Sequence, residues 1–170
     1  MKHSVTNATP SPDSAATQYV SSVSLGDVMV SGKVTCSTYS QKLIEDAEKQ
    51  TAAGEHGLAV ILAAMACEVA VNISFTQSFE DQGVQHLEKV VRDFINGYSL
   101  SSDKKRKLFE TMTGKDLASK PWWGKYKQTT KKRNDIVHEG ARATADEAKS
   151  AIAAATDMAK ELGQWFPQSN

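Results

Sequence analysis

The stretch from Glu55 to Ser78 constrains the fold more than any other, because apolar side chains lie on almost all sides of it when it is wound as a helix. A helix of that kind has to be enclosed by neighbours. Its most apolar part, Leu58 to Val71, is interrupted by Glu68 and is too short to span a bilayer. The stretch is therefore expected to be the central helix of a soluble bundle, with no membrane association. A chain of 170 residues is one domain by the usual size relation, long enough to bury a substantial core.

Other helices follow from apolar spacing and end signals. Ser40 to Ala53 carries Leu43, Ile44 and Ala47 on one side and stops before Gly54. Gln82 to Ile95 places Val84, Leu87, Val90, Val91 and Phe94 at helical intervals and ends at Asn96-Gly97. Ser102 suits the N-cap of a short basic helix to Met112, closed by Gly114. Pro121 fits the first turn of a helix through Trp122, Trp123 and Tyr126 to His138, with Gly140 as its stop. Thr144 and Glu147 form a capping box for an Ala-rich last helix to about Trp165.

Upstream, residues 1–17 are rich in Ser, Thr, Pro and Ala and are expected to be a disordered tail. Residues 18–37 alternate in character around Gly26-Asp27 and Ser31-Gly32, which reads as a short β-hairpin or extended segment. The expectation is an all-α domain of five to six helices over residues 38–170. Cys36 and Cys67 make no disulfide framework and have no metal-ligand spacing, Cys67 being placed as a buried thiol. With no apolar signal core at the start, a cytoplasmic protein with no metal or cofactor is expected.

Charge is unevenly spread. The net charge is zero, but residues 104–133 hold eleven basic side chains against two acidic ones. Such a field attracts a polyanion. The run Lys104, Lys105, Arg106, Lys107 reads equally well as a solvated helix face. Lys127, Lys131 and Lys132 lead into Arg133 and are expected to contact RNA phosphates, setting affinity rather than sequence preference.

The basic segment ends on Arg133-Asn134-Asp135-Ile136-Val137-His138. On a helix Asn134 and His138 are one turn apart, whereas Arg133 is rotated by about 140° from His138 and lies roughly 7.5 Å from it along the axis. Attack of a ribose 2′-hydroxyl on its phosphate needs a base, an acid and a cation for the phosphorane. An imidazole titrates near neutrality, as required of His138. A guanidinium keeps its charge and grips phosphate oxygens in pairs, the task assigned to Arg133. Asn134 is placed to orient the imidazole or the phosphate. These three are the candidate catalytic residues.

The Arg-Asn-x3-His pattern, accompanied by Trp122-Trp123 and a run of helices, resembles the ribonuclease-type HEPN superfamily, in particular its Apea-like group. The resemblance covers roughly residues 40–166. It implies a HEPN-like helical bundle that dimerises, so that two motifs face each other across a two-fold axis and make a composite, metal-independent endoribonuclease site. It also implies a toxin or anti-phage defence setting, in which an antitoxin or defence-system protein is a candidate partner. Gly140 stands where some HEPN toxins carry a modified tyrosine, so that mode of control is not expected. RNA is the expected partner, tRNA being one candidate. The alternative is a non-catalytic HEPN-like module for nucleotide or RNA binding, or for dimerisation.

Glu68 is an acid inside the most apolar helix and calls for a partner, with Arg133 the first choice and a place at a solvent edge the bland alternative. Trp123 and Tyr126 lie among lysines, a texture that can stack unpaired bases. Core packing is the better reading for at least one of Trp122 and Trp123, since adjacent residues on a helix diverge by about 100° and cannot share a face. His3, His56 and His86 are expected to be surface residues.

Overall fold

The computed structural model describes residues 22–25, 28–31, 37–95 and 97–165. The chain divides into two units, one of Met1–Cys36 with Phe166–Asn170 and one of Ser37–Trp165. In the first, β1 (Ser22–Leu25) pairs antiparallel with β2 (Val28–Ser31), Val23 opposite Val30. The expected tail at 1–17 and the rest of the 18–37 segment lie outside the described residues.

The second unit is all-helical. Six helices follow one another: α1 (Tyr39–Ala52), α2 (His56–Asp81), α3 (Gln85–Phe94), α4 (Asp103–Thr113), α5 (Trp123–Glu139) and α6 (Ala145–Glu161). Some end signals act as the sequence predicts, but the Ser102 hydroxyl donates to the Ser99 carbonyl and does not cap α4, and α6 ends at Glu161 rather than near Trp165. Gly114 and Gly140 close α4 and α5 with φ of 68° and 69°, left-handed values that glycine adopts without strain. Thr144 and Glu147 form both bonds of the capping box on α6. Pro121 differs in place: α5 begins at Trp123, so the proline lies in the preceding turn, where Trp123 N–H donates to Lys120. A turn at Gly83 likewise delays α3 to Gln85.

The long apolar helix α2 is the centre of the bundle and the one helix among the described residues long and apolar enough to cross a membrane. It does not face lipid-like surroundings on all sides, because α1, α5 and α6 pack along it. Ala59, Ala63, Ala66 and Ala70 form a fully buried row on α2, and Ala148, Ala151, Ala155 and Ala159 form another on α6. Small side chains at these intervals let helix backbones approach closely. The α1 hydroxyl of Ser40 uses that closeness to donate to the Ala66 carbonyl at 3.0 Å.

Larger groups fill the ends. Phe75 stacks edge-on to Phe79 and against Phe109 of α4, and Trp123 lies over Tyr126 with ring centroids 5.2 Å apart. Helix α3 is fastened to α2 by a polar flank, where Arg92 and Glu88 bond to Thr76 and Arg92 also donates to the Asn72 carbonyl. Its other flank carries Leu87, Val90 and Phe94 into solvent, Phe94 being 80 % exposed.

Candidate functional site

Helix α5 places Tyr126, Thr130, Arg133 and Asn134 on one side, because positions i, i+4, i+7 and i+8 fall within an arc of about 100°. Opposite that side stand Glu68 and Val71 of α2, Lys105 of α4, and the connection Gly97–Leu100 between α3 and α4. Together these enclose a cavity of about 380 Å3. The wall is polar where α5, α4 and the connection meet.

Arg133 is half-buried in this wall. Its Nη1 donates to Asn134 Oδ1 at 3.1 Å, while its Nε is fully buried and has no acceptor among the described residues. Most buried donors in folded proteins are satisfied, so this charged one is an exception in the cavity wall, and an outside acceptor reaches it only if the neighbouring side chains shift. Lys105 is the second cation of the cavity and makes no ion pair among the described residues. Burial lowers its amine pKa; Glu68 works against that shift and the positive charge of Arg92 adds to it. Two cations therefore share one polar recess with the single carboxylate of Glu68 on its rim, a balance that favours an anion.

Tyr98 stands at the mouth of the cavity, 41 % exposed, with Lys104 Nζ 5.4 Å from its ring centroid. Its neighbours in the Lys104–Lys107 run take separate tasks. Arg106 is held by Asp103 and Glu110, each at 2.9 Å, and Lys107 is exposed. Sequence reasoning did not single out Lys105 or Tyr98. Only the rotation of α4 against α2 distinguishes Lys105 from its neighbours, and the connection holding Tyr98 has no periodicity to read.

Of the expected catalytic residues, Arg133 and Asn134 come together in the cavity and His138 does not. His138 is exposed in the last turn of α5, one turn beyond Asn134 on the same edge and outside the cavity wall. Lys127 and Lys131 are exposed and extend this edge, since 127, 131, 134 and 138 follow one another at helical spacing. A solvent-facing stripe of two lysines, an amide and an imidazole thus borders the cavity.

Four expectations are corrected. Glu68 is not a buried acid and forms no ion pair with Arg133; it is exposed on the cavity rim, because the stripe of α2 through Met65, Glu68 and Asn72 is covered by no other helix. Lys132 points to the opposite side of α5 and pairs with Glu147 of α6 at 2.8 Å, which holds that carboxyl below its usual range. Trp123 and Tyr126 are 7 % and 3 % exposed, packed in the core with no ring face open to a base. Tyr126 still lines the cavity, and burial pushes its phenol pKa up.

His56, expected at the surface, is half-buried at the start of α2 with its Nδ1 buried and unpartnered. Among the described residues no three His, Cys, Asp or Glu side chains gather as a metal-binding group. No family model, curated protein or solved structure matches this chain.

Proposed function

We propose that the protein binds RNA at the Arg133 cavity and cleaves it without metal, as a homodimer in which each copy supplies one His138. The observation that supports this reading is the unpartnered Nε of Arg133 in the wall of a cavity that Lys105 also lines. A phosphodiester seated there meets a guanidinium fork and an ammonium, the donors suited to the charge that develops on a phosphorane. The exposed stripe of Lys127, Lys131 and His138 extends the contact along the strand.

The reaction moves two protons. A base takes the 2′-hydroxyl proton as that oxygen attacks phosphorus, and an acid protonates the departing 5′-oxygen, giving a 2′,3′-cyclic phosphate and a 5′-hydroxyl end. His138 on one chain fills one of these roles. A second copy related by a two-fold axis brings the other imidazole, as an isologous interface does by symmetry. The toxin or defence setting rests on the HEPN resemblance alone.

The test is cleavage of total tRNA and mixed single-stranded RNA in EDTA by wild type, His138→Ala and Arg133→Ala, with product ends mapped. Cyclic phosphate ends from wild type only are the expected result. Full-rate cleavage by a strict monomer, or by His138→Ala, overturns the mechanism. The place of His138 outside the cavity favours a second reading, a binding module without chemistry. Wild-type protein that retains RNA and leaves it whole establishes that reading instead.

A further inference from the structure

A second polar cavity, of about 330 Å3, adjoins the first and is lined by Asn72, Arg92, Asp93 and Ile95; both cavities share Gly97 and Lys105. Lys105 thus stands on the divide, with Arg133 beyond it on one side and Arg92 on the other. The Arg92 charge is close enough to depress the Lys105 amine, so the two cations face a common space. Arg92 spends Nε on Glu88 at 2.8 Å and Nη2 on α2, which leaves Nη1 with no acceptor among the described residues. Gly97, which lines both cavities, has φ of 82° and no atom within 4 Å of where a Cβ would stand.

Three cations line the two cavities, with Arg92 paired to Glu88, Asp93 paired to Lys89 and Glu68 on the rim; Arg92 Nη1 and the Lys105 amine are the donors left for phosphate oxygens beyond Arg133. We propose that the cleft binds single-stranded RNA through two successive phosphates, one between Arg133 and Lys105 and the next between Lys105 and Arg92. The exposed ring of Tyr98 beside Gly97 offers a stacking face to the nucleoside between them. Duplex RNA does not fit this arrangement, since its bases are stacked on each other and its phosphates lie on a rigid outer surface. This inference rests on the RNA reading above but not on cleavage.

The experiment uses the full chain carrying His138→Ala, so that binding is read without turnover. A fluorescein-labelled single-stranded RNA octamer is displaced by the dinucleotide UpU, with one phosphate, or by pUpU, with two. We expect pUpU to compete about tenfold better than UpU. Arg92→Gln should remove that advantage while leaving UpU unchanged, and the retained UpU affinity shows that the variant is folded. Lys105→Ala should weaken both dinucleotides about tenfold, whereas Lys107→Ala, which removes the same charge from the exposed side of α4, should change neither by more than twofold. Equal competition by UpU and pUpU overturns the two-phosphate cleft, as does a loss from Lys107→Ala that equals the loss from Lys105→Ala. The expected ranking without any RNA cleavage by the wild type would refute only the catalytic reading.

Discussion

Replacing Arg133 by Met separates a residue kept for a ligand from one kept for the fold. The guanidinium Nε is buried without an acceptor, and such a donor costs about 1–3 kcal/mol in the folded state. The substitution keeps an apolar stem of similar length and removes the unsatisfied group. It also removes the bond from Nη1 to Asn134, worth about 0.5–1 kcal/mol. The balance is a net stabilisation of about 1 kcal/mol, or about 3–5 °C in Tm for a domain of this size. RNA affinity moves the opposite way. Losing a charge-assisted phosphate contact of about 1.5–3 kcal/mol weakens binding roughly 10- to 100-fold and lowers the salt dependence by about one phosphate. Calorimetry and fluorescence anisotropy over a salt series read both quantities on the same protein. A Tm that falls by more than about 3 °C, or an affinity within about twofold of wild type, refutes the reasoning and returns Arg133 to a structural role.

Lys105→Met carries a pH signature. Burial holds the folded-state amine below its ordinary 10.5, so the charged form is disfavoured by folding; the cost is fully present below the folded pKa and disappears as pH rises to 10.5. The variant should therefore melt higher than wild type at pH 7, with the gain shrinking toward pH 10.5 in thermal scans; a gain independent of pH contradicts the assignment. Lys131→Ala should weaken RNA binding severalfold, while Lys132→Ala, whose amine is held by Glu147, should leave affinity within about twofold in the same titration. The Cys67 thiol is fully buried and pushed up to about 12, so it should react with a thiol reagent only after unfolding in denaturant. Rapid labelling of the native protein would contradict its place in the α2 core.

Helix limits were readable because their causes are local. The capping box at Thr144, the left-handed glycines after α4 and α5, and the apolar intervals of α1 and α6 act within a turn or two of chain. The central place of α2 was readable for a different reason, since a helix apolar all round has one stable environment. Arg133 and Asn134 were singled out by the motif that resembles the HEPN group, and the structure brings the two to one cavity wall. Lys105 was hidden in a run of like residues, and Lys132 was misjudged because adjacent positions on a helix differ by about 100° and only the neighbouring helix decides which is used.

Glu68 shows the same limit from the other side. The amino-acid pattern around it left a partnered acid and a solvent edge both open, and the exposed stripe of α2 through Met65, Glu68 and Asn72 decides for water. By itself the sequence determined where the helices run to within a turn and which of them must be enclosed, because propensity, capping and hydrophobic period are properties of neighbouring residues. Tertiary structure alone decided which charges were neutralised, which aromatics were sealed into the core and which cations stayed open along one cleft. Those outcomes depend on how the helices are rotated against one another, which is fixed by packing between residues far apart in the chain.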